Sequence, residues 1–163
     1  MLKVRISMNP KAKASIRTVR GKVYNPSARG MEQLRNLVKK QLPKGFKPIS
    51  NGVACVLHYE FPLPLKMTKE RKLKFDGSDH ITRPDFDNLC KFSNDALNGV
   101  LWDDDKLICM AFVEKSWINS KEGVTTLYVF DLGDSRDQAL VALFREGARI
   151  LCEDGNNEDS EHG

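Results

Sequence analysis

The chain has 163 residues, with 26 Lys and Arg against 22 Asp and Glu and a formal net charge of +4. That length suits one domain with a sizeable core. No window approaches a membrane span and the N-terminus lacks a signal-peptide apolar region, so a soluble, cytoplasmic protein is expected. Cys55, Cys90, Cys109 and Cys152 are far apart and form no C-x-x-C pair. This argues against zinc and for buried free thiols in a reducing compartment. The charge is uneven: residues 1–50 carry thirteen Lys and Arg and a single acid, Glu32, whereas residues 151–163 carry five acids and no Lys or Arg. A basic end of this kind suits a polyanionic partner such as nucleic acid, through release of counterions from its phosphates.

In chain order, Lys3-Val4-Arg5-Ile6 has the look of a short strand. A basic arm over about residues 8–24 follows, with Lys11, Lys13, Arg17, Arg20 and Lys22 and few large apolar residues, expected to be loose without a ligand. Asn25-Pro26-Ser27 marks a helix start, Met31, Leu34, Leu37, Val38 and Leu42 supply its apolar stripe, and Pro43 ends it. Val53, Cys55, Leu57 and Tyr59 alternate as a strand up to Phe61, closed by Pro62 and Pro64. Residues 66–82 form a second basic segment with Lys69, Arg71 and Lys72. His80, five residues before an aspartate pair, is a candidate to touch phosphate or orient a ligand, or else a structural histidine.

The next stretch holds the chemistry. It reads Arg83-Pro84-Asp85-Phe86-Asp87-Asn88-Leu89-Cys90-Lys91, and later Trp102-Asp103-Asp104-Asp105. Pro84 biases its predecessor toward an extended backbone. Asp85 and Asp87, two apart on an extended segment, share a face. From Leu89 the apolar residues Leu89, Phe92, Ala96, Leu97 and Val100 fall at helical spacing, predicting a helix over about 88–98 that stops at Asn98-Gly99. Lys91 lies one turn from Asp87. The three later aspartates precede residues 107–113, which read as a buried strand and are expected to pair antiparallel with residues 124–130. Carboxylates gathered in an ordered, apolar-patterned segment are costly without a cation, and hard divalent ions prefer carboxylate oxygens. Helix caps and turn residues are the plain alternative. A calcium loop fails on detail: counted from Asp85, position six is Cys90 and position twelve is Ala96. Asp134-Ser135 opens a last helix with Leu140, Leu143, Phe144 and Leu151 on one face. Residues 153–163 form an acidic tail expected to be disordered. Trp102 and Trp117 are expected as core or loop anchors rather than base-stacking platforms.

The ordered pattern 83–91, the run Asp95-Ala96-Leu97-Asn98-Gly99-Val100-Leu101 and the Trp-x-Asp-Asp at 102–105 resemble the RusA family of Holliday junction resolvases, crossover-junction endodeoxyribonucleases of bacteria and their phages. The likeness is densest over 80–108 and weaker over about 1–130. The resemblance implies that Asp85, Asp87 and Asp105 are metal-binding catalytic acids, with Asp104 the adjacent acid and Lys91 the catalytic lysine. Phe86 departs from the smaller aliphatic residue common there, and Asp103 adds an extra acid, so which of the three late aspartates binds metal stays open.

The expectation is therefore an α/β domain over 1–152 with a mixed sheet of about four strands and packed helices. Its expected activity is a Mg²⁺-dependent endodeoxyribonuclease, with Mn²⁺ able to substitute, that resolves four-way junctions by paired nicks. Asp85, Asp87, Asp104 and Asp105 are the expected metal residues. Lys11, Lys13, Arg17, Arg20, Lys22, Lys69, Arg71, Lys72, His80 and Arg83 are the expected DNA contacts. Branched DNA is the expected partner and a homodimer the expected assembly, since two symmetric nicks suit two sites related by a twofold axis. Its interface is sought on the strand at 107–113 or the helix at 31–42. A nuclease of the same fold acting on flaps, D-loops or forks, and a non-cutting binder of branched DNA, are the alternatives.

Overall fold

A computed structural model describes residues 1–19 and 21–154; of Val19 and of residues 147–154 it describes the backbone only. In chain order the elements are β1 (Leu2–Ser7), β2 (Arg17–Val19), β3 (Lys22–Tyr24), α1 (Ala28–Lys39), β4 (Val53–Pro62), α2 (Lys69–Phe75), α3 (Phe86–Leu97), a 3-10 turn (Asp105–Leu107), β5 (Ile108–Ile118), β6 (Val124–Asp131) and α4 (Ser135–Asp154). They form the expected α/β domain around a mixed four-stranded sheet ordered β1-β6-β4-β5. β6 pairs antiparallel with both β1 and β4, while β4 and β5 run parallel.

A parallel pair needs a crossover. Here the crossover is the segment from Pro62 to Ile108, and its main helix is α3. Alternation assigns the faces. Val53, Cys55, Leu57 and Tyr59 of β4 meet Val4 and Ile6 of β1, Leu127 and Val129 of β6, Leu34 and Val38 of α1, and Leu89, Phe92 and Leu97 of α3 in one buried core. Val38, Leu89, Leu97 and Trp102 are completely inaccessible to solvent. The opposite face is more thinly covered: Ala54, Phe130 and Val141 of α4 make a second, smaller cluster.

The structure corrects several expectations. The strand at 107–113 does not pair with 124–130. β4 lies between them and takes the hydrogen bonds of both. β5 is therefore an edge strand rather than a buried one: Cys109 and Ala111 are exposed and Phe112 is 63% exposed. The arm is less loose than its composition suggests. The Lys13 N–H donates to the Asn88 carbonyl at 2.8 Å and the Ala14 N–H to Ser27 Oγ at 2.9 Å, and β2 and β3 form a hairpin. Gly21 sits in that hairpin's turn at φ +75°, a conformation that glycine adopts without strain. On α4 it is Val141 that faces the sheet, while Leu140, Leu143 and Phe144 are exposed; the Leu151 side chain lies outside the described residues. The thiols divide likewise. Cys55 is buried and pushed up to about 12, first by burial, so it stays a neutral thiol, whereas Cys109 is exposed. Cys152's side chain and the tail from residue 155 onward lie outside the described residues.

Candidate nuclease site

α3 begins at Phe86, two residues before the expected 88, so Asp87 stands in its first turn rather than beside Asp85 on an extended segment. Asp85 is the N-cap residue in an extended conformation, and Leu89, Phe92, Ala96 and Leu97 are buried on the side facing the sheet. The Asp85 side chain makes no capping hydrogen bond and is exposed. Asp87, in the first turn, accepts a hydrogen bond from Lys91 Nζ at 3.1 Å. That bond, more than any other influence, holds the Asp87 carboxyl below the usual carboxylate range, so it is ionised at neutral pH. Both carboxylates also lie at the positive end of the helix dipole.

Asp85 opens onto a groove of about 530 Å³ lined by Ala12, Lys13, Arg83, Pro84 and Asn88. Through Ala12 this groove adjoins a second, of about 600 Å³, whose polar walls are Lys11, Ser27, Arg29 and Gln33. Arg83 thus lines the same groove as Asp85, and Lys11 lines the adjoining one. Arg29 and Gln33 were not among the expected contacts. On a helix read from its apolar stripe they look like ordinary solvated positions. The available signal was a cation in the first turn of a helix that has no acid there.

Other expected contacts are placed differently. Lys13 is ion-paired with Asp95, which ties the arm to α3 and engages its charge within the protein. His80 is buried: its ring stacks on Phe61 at 4.0 Å between centroids and meets Trp117 at 4.3 Å. Desolvation lowers its pKa, so it is neutral at pH 7. It is a structural histidine rather than a phosphate contact, because its neighbours are aromatic and its access to solvent is closed. Arg17 and Lys22 are exposed on the β2–β3 hairpin, Lys69 and Arg71 are exposed on α2 and Lys72 is half-buried there, while Arg20 lies outside the described residues.

The late aspartates sit elsewhere. Asn98 bridges to Trp102 and Trp102 Nε1–H donates to Asn98 Oδ1 at 2.9 Å, so the chain turns back at the C-terminal end of α3. Asp103 N–H then donates to the Ile49 carbonyl at 3.0 Å. Asp104 caps the 3-10 turn, accepting from the Lys106 N–H at 3.0 Å, and that bond, first among several influences, lowers its pKa. Asp105 opens the turn, half-buried. Among the described residues no three His, Cys, Asp or Glu side chains are gathered closely enough to hold a metal ion. The chain thus joins Asp85, Asp87 and Lys91 at one place and Asp104 and Asp105 at another. The first pair suits a hydrated Mg²⁺, which is often bound through one or two carboxylates, waters and substrate phosphate. The full set of four does not meet within one chain.

Among the described residues no helix is long and apolar enough to cross a membrane. No curated protein matches the chain. The family model of endodeoxyribonuclease RusA matches residues 6–126, spanning β1 to β6 with both groups of aspartates. The match takes in most of the chain, and with it the α/β fold and the 83–105 motif: the chain belongs to the RusA family of endodeoxyribonucleases.

Proposed function

We propose that this nuclease is a Mg²⁺-dependent endodeoxyribonuclease, with Mn²⁺ able to substitute, that resolves four-way DNA junctions by paired symmetric nicks. The observation that supports the reading best is the uncapped carboxylate of Asp85, standing beside Asp87 and Lys91 in an open groove with basic walls. A bare pair of acids would repel a phosphate; acids that share a metal ion would attract it. Asp85 and Asp87 would hold the ion, which supplies an activated water and stabilises the departing oxygen. Lys91, one turn along α3, is placed to stabilise charge on the phosphate as it is attacked. Arg83 lines the groove of Asp85, Lys11 and Arg29 line the adjoining one, and the three would grip the flanking backbone, fixing register without reading sequence.

A homodimer belongs to the same reading. The apolar stripe of α1 is consumed in the core, where Leu34 and Val38 are buried, so it offers no interface. The strand at 107–113 does: Phe112 joins Leu140 and Phe144 in an exposed apolar patch together with Val56, Tyr128 and Phe130. Patches of this kind mark contact surfaces. The test is a synthetic four-way junction incubated with Mg²⁺ or with EDTA. Paired nicks are expected in Mg²⁺ and an intact junction in EDTA. Cutting in EDTA, or cutting confined to flaps and forks, would overturn the reading.

A further inference from the structure

The chain that leads into Asp85 is held by β5. Its segment 77–80 lies along that strand: the Gly77 N–H donates to the Trp117 carbonyl at 2.9 Å, the Trp117 N–H to the Ser78 carbonyl at 2.8 Å and the His80 N–H to the Lys115 carbonyl at 3.0 Å. Beyond His80 it is the Lys115 side chain that follows the segment. Its Nζ donates to the Thr82 and Pro84 carbonyls, both at 2.9 Å. Lys115 stands opposite Tyr59 in the β4–β5 register, so both project to the side of the sheet that α3 covers. Tyr59 reaches α3 itself, its hydroxyl donating to Ser93 Oγ at 2.9 Å; Lys115 reaches the approach to α3. A lysine at a sheet edge ordinarily extends its ammonium into water. This one is half-buried, and among the described residues it has no ion-pair partner. Two carbonyl dipoles compensate its charge instead, through charge-assisted hydrogen bonds that are stronger than neutral ones.

We propose that Lys115 is a positioning residue for the nuclease site: through the Thr82 and Pro84 carbonyls it fixes the backbone from which Asp85 presents its carboxylate to the metal ion. This inference rests on the metal-dependent reading above and adds to it what holds Asp85 in place. The Pro84 carbonyl belongs to the planar peptide group that ends at the Asp85 Cα, so a bond to that oxygen orients Asp85 directly. An aspartate carboxyl is one methylene from its Cα, and its place follows the backbone. Asp87 lies inside the first turn of α3, where the helix fixes it, whereas Asp85 is the cap residue outside the helix and its side chain makes no capping hydrogen bond. Asp85 is therefore the acid that needs a separate hold. Arg83, between the two bonded carbonyls, is less sensitive, because its long stem reaches a phosphate from a range of backbone positions. Loss of the Lys115 bonds then weakens metal binding and spares metal-free DNA binding.

Lys115→Met keeps the stem and removes the donors. Mn²⁺ binding, followed by electron paramagnetic resonance, should be roughly 10- to 100-fold weaker in this variant, the range for removing a group that orients a metal ligand. The Mg²⁺ concentration for half-maximal junction cutting should rise by a similar factor, while affinity for the junction in EDTA stays at the wild-type value. Ser116→Ala is the control. Ser116 is the next residue on β5, faces the other side of the sheet and is hydrogen-bonded to His58 Nε2 at 2.7 Å. Its loss weakens the same strand without touching residues 82–84, so Mn²⁺ binding should not change. Wild-type Mn²⁺ affinity in Lys115→Met overturns the inference, and so does an equal loss of affinity in Ser116→Ala. If Lys115→Met does not fold, Lys115→Gln decides by the same measurement: its amide is one bond shorter and uncharged, and wild-type Mn²⁺ affinity in it overturns the inference. A wild type that neither binds Mn²⁺ nor cuts in Mg²⁺ overturns the metal-dependent reading, and this inference with it.

Discussion

The two ends of α3 are built from similar residues and do opposite things. At its start, Asp85 and Asp87 are accessible, one uncapped and one bonded to Lys91 across a single turn. At its end, Leu97, Val100, Leu101 and Trp102 are buried, and of the aspartates that follow Asp104 is engaged by the backbone of its own turn. An exposed carboxylate with no internal partner contributes little to stability and remains available to a cation. A carboxylate that caps a turn is in use structurally. The contrast separates an accessible acidic face from an anchor that holds the helix at the sheet.

Substitutions at the two ends should therefore separate activity from stability. The largest expected effect is on cutting. Asp85→Asn or Asp87→Asn should reduce junction cleavage to the level seen in EDTA, leave the denaturation midpoint unchanged, and keep junction binding equal or tighter, since a negative charge facing phosphate is removed. Cleavage by both variants at the wild-type rate would erase the distinction between the two ends. At the other end, Trp102→Ala should cost about 3–5 kcal/mol of stability, read by chemical denaturation, the range for emptying a large aromatic site in a packed core. It also removes the indole hydrogen bond to Asn98. A loss below about 1 kcal/mol would mean that Trp102 does not anchor α3.

Smaller effects sharpen the active end. Lys91→Ala should slow cleavage by roughly 10²-fold, the scale for one preorganised electrostatic stabiliser, with thermal stability little changed because its ion pair with Asp87 is exposed. A rate equal to wild type in single-turnover assays would leave Lys91 as a surface partner of Asp87 only. The mildest change is expected from neutralising Lys11 and Arg29 to Gln together. Junction binding should weaken at all sequences, and the slope of log affinity against log salt should flatten by about 0.9 for each phosphate no longer neutralised. The same pair of substitutions at Lys13 and Lys40 should flatten it less, since Lys13 is engaged with Asp95. An unchanged slope in the Lys11 and Arg29 variant would place the DNA path elsewhere.

How much of this was legible varies from residue to residue. The helix over 88–98 was readable because its buried side chains recur at 3.6 residues and Asn98-Gly99 stops it; the observed α3 differs at its start by two residues. α1 was readable for the same reason. The neighbour of β5 was not, because the choice between β4 and β6 depends on a partner more than forty residues away in sequence. Apolar alternation does not distinguish an edge strand from a central one. Lys13 and His80 looked like DNA contacts by type and position. Their true partners, Asp95 at a distance of 82 residues and the Phe61 and Trp117 rings, are brought by the fold.

By itself the sequence determined the local elements, the uneven charge and the motif through which the chain belongs to its family. All of these depend on residues close together along the chain, where spacing alone decides which side chains share a face. Only the tertiary structure decided that β4 lies between β5 and β6, that Arg29 and Lys11 open onto one groove, and that the two groups of aspartates stand at opposite ends of α3. The physical reason is the crossover. Two parallel strands joined through a helix force that helix to run back along them, so residues only twenty apart in sequence, Asp85 and Asp105, are carried to opposite ends of the sheet.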